Sequence, residues 1–154
     1  AEVCRLFENR IDANTLYVVY SDRPKAESAC GRHKGRYFCT PDAPVAALTV
    51  TVHNVIDDPS CSVPDDSPGP LGVGNLANVT AHELMESVTN PRLTGWFNDG
   101  GITGHVQEIE ENGDKCAWVR SGPGRLQNIH LSTGDFAVQG MWSNAVAGCA
   151  IAYP

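Results

Sequence analysis

One segment of this chain has the pattern of a helix, and the segments around it have the patterns of strands and turns. Between about residues 76 and 89, apolar side chains recur at roughly the spacing of one helical face. We expect the helix to end before Asn90-Pro91, because the residue before a proline avoids helical geometry and proline cannot continue the hydrogen-bond ladder. The fold must therefore be built around this helix.

The segments that flank the predicted helix favour strands and loops. Residues 16–20 are aromatic and β-branched, and residues 45–56 form a mostly apolar run. Residues 57–74 are rich in Asp, Pro, Ser and Gly, which predicts a surface loop. We expect a glycine-rich turn over residues 95–104, then short strands or turns at residues 106–111, 116–119, 127–131 and 136–142. This mixture predicts an α+β fold with a central helix packed on a small mixed sheet.

Size and charge narrow the class of protein. At 154 residues the chain is expected to form a single domain, 1–154, that buries its own core and is a monomer. No apolar run approaches the ~20 residues of a membrane-spanning helix, so we expect no membrane partner. The net charge of −7 and the lack of a strong Lys/Arg cluster argue against nucleic acid as a partner, because phosphate binding needs local positive charge.

Six cysteines are spread along the chain, at positions 4, 30, 39, 61, 116 and 149. Their even number and the absence of a C-x-x-C pair predict three disulfides in a secreted, extracellular protein. Sequence alone leaves the pairing open. We expect Cys30–Cys39, which closes a short loop, and Cys116–Cys149, which ties two late strands, and this leaves Cys4 with Cys61. The alternative is that cysteines bind a metal.

The second half of the predicted helix carries His82-Glu83-Leu84-Met85-Glu86. Residues four apart share a helical face, so His82 and Glu86 can bind one metal ion while Glu83 lies beside them. This is the H-E-x-x-H pattern of metallopeptidases with glutamate in place of the second histidine. A catalytic zinc takes three protein ligands and one water, and a nearby carboxylate accepts the water's proton. The pattern predicts His82 and Glu86 as zinc ligands and Glu83 as the general base.

The third ligand must come from elsewhere, and the acidic stretch over residues 105–116 supplies the candidates. Asp114 is the first choice, because a glycine turn and a cysteine on either side would fix its direction. Glu111 and His105 are the possible additional ligands. The same stretch can alternatively bind calcium through Asn112, Asp114 and glutamates, although it lacks the EF-hand pattern.

Ordinary interpretations of these residues remain open. His82 can be a helix histidine that pairs with Glu86 and Arg92 without any metal. Asn78-Val79-Thr80 is a glycosylation sequon, but a glycan there would crowd the proposed site, so we expect Asn78 to be unmodified. Acidic pairs are plentiful enough that the carboxylate chemistry of a glycan-acting enzyme stays a further alternative.

Three blocks in the second half of the chain resemble a known family. Residues 80–91, with Gly95-Trp96, resemble the H-E-L-x-E-x-x-T-N-P segment of the plant EXORDIUM, or phosphate-induced-protein, family and its microbial relatives. Residues 111–116 are similar to its E-I-G-D-x-C element, with Asn112 in place of the isoleucine. Residues 136–145, followed by Cys149, are similar to its closing F-x-V-Q-x-x-W-S-N-x element.

The resemblance implies a secreted or wall-associated protein, although the plant members have no agreed chemistry. The family's H-E-x-x-E helix looks like the helix of zincins, which implies a zincin-like fold and a metallopeptidase that acts on a protein or peptide substrate. The E-x-x-D-x-C element implies that Glu111 and Asp114 are the candidates for completing the metal site. The departure at Asn112 affects the geometry expected next to them.

The leading hypothesis is a small secreted zinc-dependent endopeptidase, disulfide-stapled and zincin-like. In it, His82, Glu86 and Asp114 bind Zn²⁺, and Glu83 is the general base. The alternative is a non-enzymatic extracellular or cell-wall module with a structural metal, which binds a polysaccharide or a protein partner. The residues that would form its binding surface are Trp96, Trp118 and Trp142.

Overall fold

The computed structural model of the protein has an α+β fold. The structure describes residues 12, 15–24, 30–34, 37–40, 43–45, 48–54, 61, 73–91, 95–96, 98–103, 106–117 and 119–152. Within them the main helix is α1 (Val73–Thr89), and no helix there is long and apolar enough to cross a membrane. Four of the residues singled out above, Cys4, Arg92, His105 and Trp118, lie outside the described residues.

The strands before the helix form a small mixed sheet and a separate hairpin. They are β1 (Leu16–Pro24), β2 (Gly31–Lys34), β3 (Tyr37–Thr40), β4 (Ala43–Val45) and β5 (Leu48–Asn54). β5 lies at the centre of the three-stranded sheet, parallel to β1 and antiparallel to β2, while β3 pairs with β4. The register sets Val18 and His33 on either side of Val50. The parallel pair explains why the chain needs a long connection between β1 and β5.

The strands after the helix form antiparallel pairs. They are β6 (Asn98–Thr103), β7 (Val106–Glu110), β8 (Gln127–Leu131), β9 (Gly134–Val138), β10 (Met141–Ser143) and β11 (Gly148–Ala150). β6 pairs with β7, β8 with β9 and β10 with β11. A short 3₁₀ turn at Asp114–Cys116 follows β7. Within each pair, only a few residues separate the first strand from the second, and connections of that length suit antiparallel strands.

The core lies between α1 and the mixed sheet. Val50 and Val52 of β5, Val79 of α1 and Cys61 are buried together. Leu16, Cys30 and Leu76 pack against this cluster. α1 contacts β2 and β5, and it also contacts β9. The helix is therefore held between the sheet and a C-terminal hairpin, which fixes the direction of its polar side chains.

Asn90 ends the helix, as the proline after it predicts. Its backbone N–H donates to Glu86 O at 2.7 Å, and its side-chain Oδ1 accepts from Gly95 N–H at 2.6 Å. Trp96 N–H donates to Thr89 O at 3.1 Å, so the chain folds back over the helix end. These bonds satisfy backbone groups that a helix end would otherwise leave without partners.

Several predicted boundaries are wrong, and pairing between strands explains the largest difference. The predicted glycine-rich turn over residues 95–104 contains β6, whose Asn98 and Thr103 pair with Glu110 and Val106 of β7. Residues on both sides of Gly100 and Gly101 are paired, and the two glycines lie at an irregularity between Asp99 and Ile102, a place where strands often carry glycine. β1 continues beyond residue 20 to Pro24, the predicted strand over residues 45–56 is split between β4 and β5, α1 begins at Val73, and residues 114–116 form a 3₁₀ turn.

The described residues contain two disulfides, Cys30–Cys61 and Cys116–Cys149, and no free cysteine. The second confirms the prediction, but Cys30–Cys39 and Cys4–Cys61 are wrong. Cys30 packs against the cluster of buried side chains that includes Cys61, whereas Cys39 belongs to the β3–β4 hairpin. Cys30 therefore pairs with Cys61, which lies beside it in the core, and not with Cys39, which is nearer in the sequence. Two disulfides fit an oxidising environment.

Candidate metal centre

The last two turns of α1 bring an imidazole and a carboxylate together. His82 Nε2 lies 3.0 Å from Glu86 Oε1, one helical turn further along. The side chain of Glu86 is 4% exposed and that of His82 is 16% exposed. The spacing of four residues places both side chains on one helical face.

The 3₁₀ turn after β7 brings Asp114 to the same place. Its Oδ1 lies 3.4 Å from His82 Nε2, and its backbone N–H donates to Glu86 Oε1 at 3.2 Å. One ligand atom from each of His82, Glu86 and Asp114 lies within 4.8 Å of the others, so this group, which we call the trio, can hold a metal ion. The Asp114 side chain is 42% exposed, so the trio opens to solvent on that side.

Hydrogen bonds and one glycine hold the turn that carries Asp114. Glu111 N–H donates to Asp114 Oδ2 at 3.2 Å, and Cys116 N–H donates to Gly113 O at 3.0 Å. A Cβ on Gly113 would lie 2.9 Å from both Glu86 Oε1 and His82 Nδ1. Only a glycine lets the turn approach the helix this closely. The Cys116–Cys149 disulfide secures the end of the turn.

Glu111, a possible additional ligand, has a different position. Its Oε1 accepts a hydrogen bond from Asn90 Nδ2 at 2.6 Å in a buried contact. Among the described residues, the group that can hold a metal ion contains Asp114 and not Glu111. Glu111 thus ties the turn to the end of α1. His105, the other possible ligand, lies outside the described residues.

Glu83, the predicted general base, is buried between α1 and β2. Its exposure is 4%. A Cβ on Gly31 of β2 would lie 2.8 Å from both Glu83 Cγ and Glu83 Oε1. The strand therefore passes directly over the carboxylate. Glu83 is also close enough for its negative charge to act on His82.

The electrostatics of the site favour a cation. Burial of the imidazole lowers the pKa of His82, but hydrogen bonds to Asp114 and Glu86 and the charges of Glu86 and Glu83 raise it by more. The pKa of His82 therefore lies well above its usual range. Three carboxylates around one imidazole attract positive charge, whether it is a proton or a metal ion.

Gln139, which sequence reasoning did not select, contacts the other nitrogen of the His82 ring. It follows β9, and its Oε1 lies 3.2 Å from His82 Nδ1. Its backbone N–H donates to Asn78 Oδ1 at 2.8 Å. Asn78 is buried and its amide oxygen is in use, so the sequon asparagine is not presented at the surface. Gln139 carries no pattern of its own, and only the block that resembles the EXORDIUM family included it.

The donor atoms of the trio suit a transition metal better than calcium. Calcium takes oxygen ligands, whereas the trio offers one imidazole nitrogen and two carboxylates. The amide oxygen of Asn112, expected to help bind calcium, accepts the backbone N–H of Trp142 at 2.9 Å. The indole of Trp142 donates to Asn144 Oδ1 at 2.8 Å, and the ammonium of Lys115 lies 4.3 Å from its ring centroid.

Comparison with known proteins gives no match: no protein-family model, no curated protein and no solved structure is significantly similar to the chain. The resemblance to the EXORDIUM family stays a prediction that rests on the three sequence blocks.

Proposed function

We propose that the protein is a secreted zinc-dependent endopeptidase of zincin-like architecture, related to the EXORDIUM family. The observation that carries the proposal is the trio of His82, Glu86 and Asp114, whose ligand atoms lie within 4.8 Å of one another. Its composition fits the three protein ligands of a catalytic zinc site. The exposed side chain of Asp114 leaves an approach for substrate, which a closed structural site would not need.

Each residue has a defined part in hydrolysis. A zinc ion held by the trio would polarise the scissile carbonyl and make a water molecule more acidic. Glu83 takes the proton of that water and passes it to the leaving amine. Its place beside His82 on α1, and the effect of its charge on the imidazole, support this part. Because Glu86 and Asp114 both carry negative charge, they offset the charge of the zinc, and we expect modest activity or a narrow substrate range.

The position of β2 supports a peptide as the substrate. Within the described sheet β2 is an edge strand, and it lies directly against Glu83. An extended peptide can pair with the backbone of an edge strand. A peptide bound there would lie next to the proposed base, and peptide bonds are what the proposed chemistry cleaves. The two disulfides support secretion.

One observation favours a second candidate, a non-enzymatic extracellular module with a structural metal. Glu83 is 4% exposed, and a general base has to meet a water molecule. In this alternative Glu83 and the trio stabilise the fold, and the partly exposed Trp142 with Lys115 above it contacts a polysaccharide or protein partner.

The deciding experiment compares the wild type with Glu83→Gln. We expect both to contain one zinc per chain by mass spectrometry, and we expect the variant to hydrolyse casein or a peptide library about 10²–10⁴-fold more slowly. Asp135→Asn is the matched control, because Asp135 is half-exposed and pairs with His130 on the β8–β9 hairpin. Equal hydrolysis by Glu83→Gln would refute the mechanism. Zinc without hydrolysis in the wild type would select the structural module, and a wild type without zinc would refute both.

A further inference from the structure

The amide of Gln139 can take only one orientation at the metal centre. Its Nε2 lies 2.7 Å from Gly113 O and 3.5 Å from Gly140 O, and both carbonyl oxygens can only accept hydrogen bonds. Rotating the amide by half a turn would place Oε1 against Gly113 O and repel it. The nitrogen therefore faces Gly113, and the oxygen faces the imidazole of His82.

This orientation decides which nitrogen of His82 carries the proton when zinc is bound. The oxygen of Gln139 lies 3.2 Å from His82 Nδ1 and can only accept, so Nδ1 must donate. The other nitrogen, Nε2, faces Glu86 and Asp114 at 3.0 and 3.4 Å. A proton held on Nδ1 leaves the lone pair of a neutral imidazole on Nε2, where the two carboxylates converge.

We propose that Gln139 is a positioning residue that holds the His82 proton on Nδ1 and thereby directs the Nε2 lone pair to the metal. The proposal rests on the metal site proposed above. Metal-bound histidines commonly donate their second ring N–H to a neighbouring acceptor, which fixes the tautomer and the direction of the ring. Here that acceptor is a side-chain amide, and a backbone carbonyl of the turn that carries Asp114 sets its orientation.

Gln139 itself is fixed from both sides. Its backbone N–H donates to Asn78 Oδ1, and Asn78 lies one helical turn before His82 on α1. The next residue, Gly140, donates to Gly124 O at 3.1 Å, and a Cβ there would lie 2.6 Å from that oxygen. With 7% exposure, the side chain has no room to move away from the ring. Gln139 therefore joins α1, the turn of Asp114 and the C-terminal strands at a single point.

The test uses three variants of the intact protein. Gln139→Leu removes the acceptor at similar volume. Gln139→Glu keeps an acceptor oxygen opposite His82 Nδ1, and its protonated carboxyl can donate to Gly113 O as the amide does. Gln127→Leu, on β8 where it pairs with Val138, is the matched control. Zinc affinity is measured by competition with a chromophoric chelator, and the protonated nitrogen of His82 is identified by ¹⁵N NMR of the zinc-loaded protein.

We expect Gln139→Leu to bind zinc about 10–100-fold more weakly. We expect Gln139→Glu to bind more tightly than Gln139→Leu, and Gln127→Leu to match the wild type. The NMR signal of a proton on His82 Nδ1 should be present in the wild type and in Gln139→Glu. In Gln139→Leu it should be lost or exchange rapidly with water.

A loss of general packing would weaken Gln139→Glu as much as Gln139→Leu, and that result would overturn the proposal. A wild type that binds zinc through Nδ1 would also overturn it, as would an unchanged affinity in Gln139→Leu. Each of these results leaves the metal site standing. A wild type that binds no zinc would overturn the metal site and this proposal together.

Discussion

Replacing Gly113 by alanine should disturb the metal centre through steric contact alone. The backbone of Gly113 has φ −70° and ψ −44°, a right-handed conformation that alanine adopts without strain. Without neighbours, the substitution would raise the free energy of unfolding by about 0.4–1 kcal/mol, because alanine restricts the unfolded chain. Any loss must therefore come from the new methyl group.

The structure gives the size of that loss. The Cβ would lie 2.9 Å from Glu86 Oε1 and from His82 Nδ1, whereas ordinary contacts begin at 3.4 Å, so the turn must retreat by about half an ångström. Overpacking of this kind lowers the free energy of unfolding by about 1–3 kcal/mol. The retreat also moves Asp114 away from His82, and we expect zinc affinity to fall about 10–100-fold, as it does when support around a metal ligand is lost.

The matched control is Gly148→Ala. Its Cβ would meet nothing closer than Val146 O at 3.7 Å, so we expect unchanged zinc affinity and equal or slightly higher stability. Chelator competition and urea unfolding of both variants provide the measurements. If Gly113→Ala binds zinc as tightly as Gly148→Ala does, the close approach of the turn to α1 has no part in metal binding and the argument fails.

Three further predictions concern the same site. Because the pKa of His82 is raised, zinc must displace its proton, so zinc affinity should rise about tenfold per pH unit until the pH passes that pKa and then level off. The stability that protonated His82 gives the metal-free protein should be lost as the pH rises through the same pKa. A zinc affinity that does not depend on pH would contradict this prediction. Asp114→Asn should weaken zinc binding, measured by calorimetry, by at least about tenfold, and Glu111→Gln should weaken it much less. If Glu111→Gln has the larger effect, the third ligand is Glu111. Asn90→Ala should lower the free energy of unfolding by about 2–4 kcal/mol in urea, because it removes the amide that donates to the buried Glu111 carboxylate and accepts from Gly95 N–H. A change under about 1 kcal/mol would refute that role.

Local patterns predicted the parts of the site that lie on one element. The end of α1 followed from Pro91, and the closeness of His82 and Glu86 followed from a spacing of four residues. The glycine and the cysteine on either side of Asp114 predict that its direction is fixed, and the structure places it beside His82. Each of these inferences needed only the geometry of a short segment.

Contacts between distant segments could not be predicted in this way. Gln139 meets His82 across 57 positions of sequence, and no spacing rule links a glutamine after a strand to a histidine on a helix. Cys30 pairs with Cys61, not Cys39, because the core, which no local pattern describes, brought them together. The glycines of β6 predict a turn, but the residues on both sides of them pair with β7 and keep the segment in a strand. In all three cases tertiary contacts overrode the local preference.

The burial of acidic side chains at the end of α1 suggests that the cation belongs to the fold as well as to the chemistry. Glu83 and Glu86 are each at most 4% exposed, and taking a carboxylate out of water has an effective penalty of several kcal/mol unless positive charge offsets it. Within the trio, the imidazole of His82 lies 3.0 Å from Glu86 and 3.4 Å from Asp114. A divalent ion bound there would add positive charge beside these carboxylates. Removing the metal should therefore loosen α1 and the turn of Asp114 together, so the stability and the proposed activity of this protein should depend on the same ion.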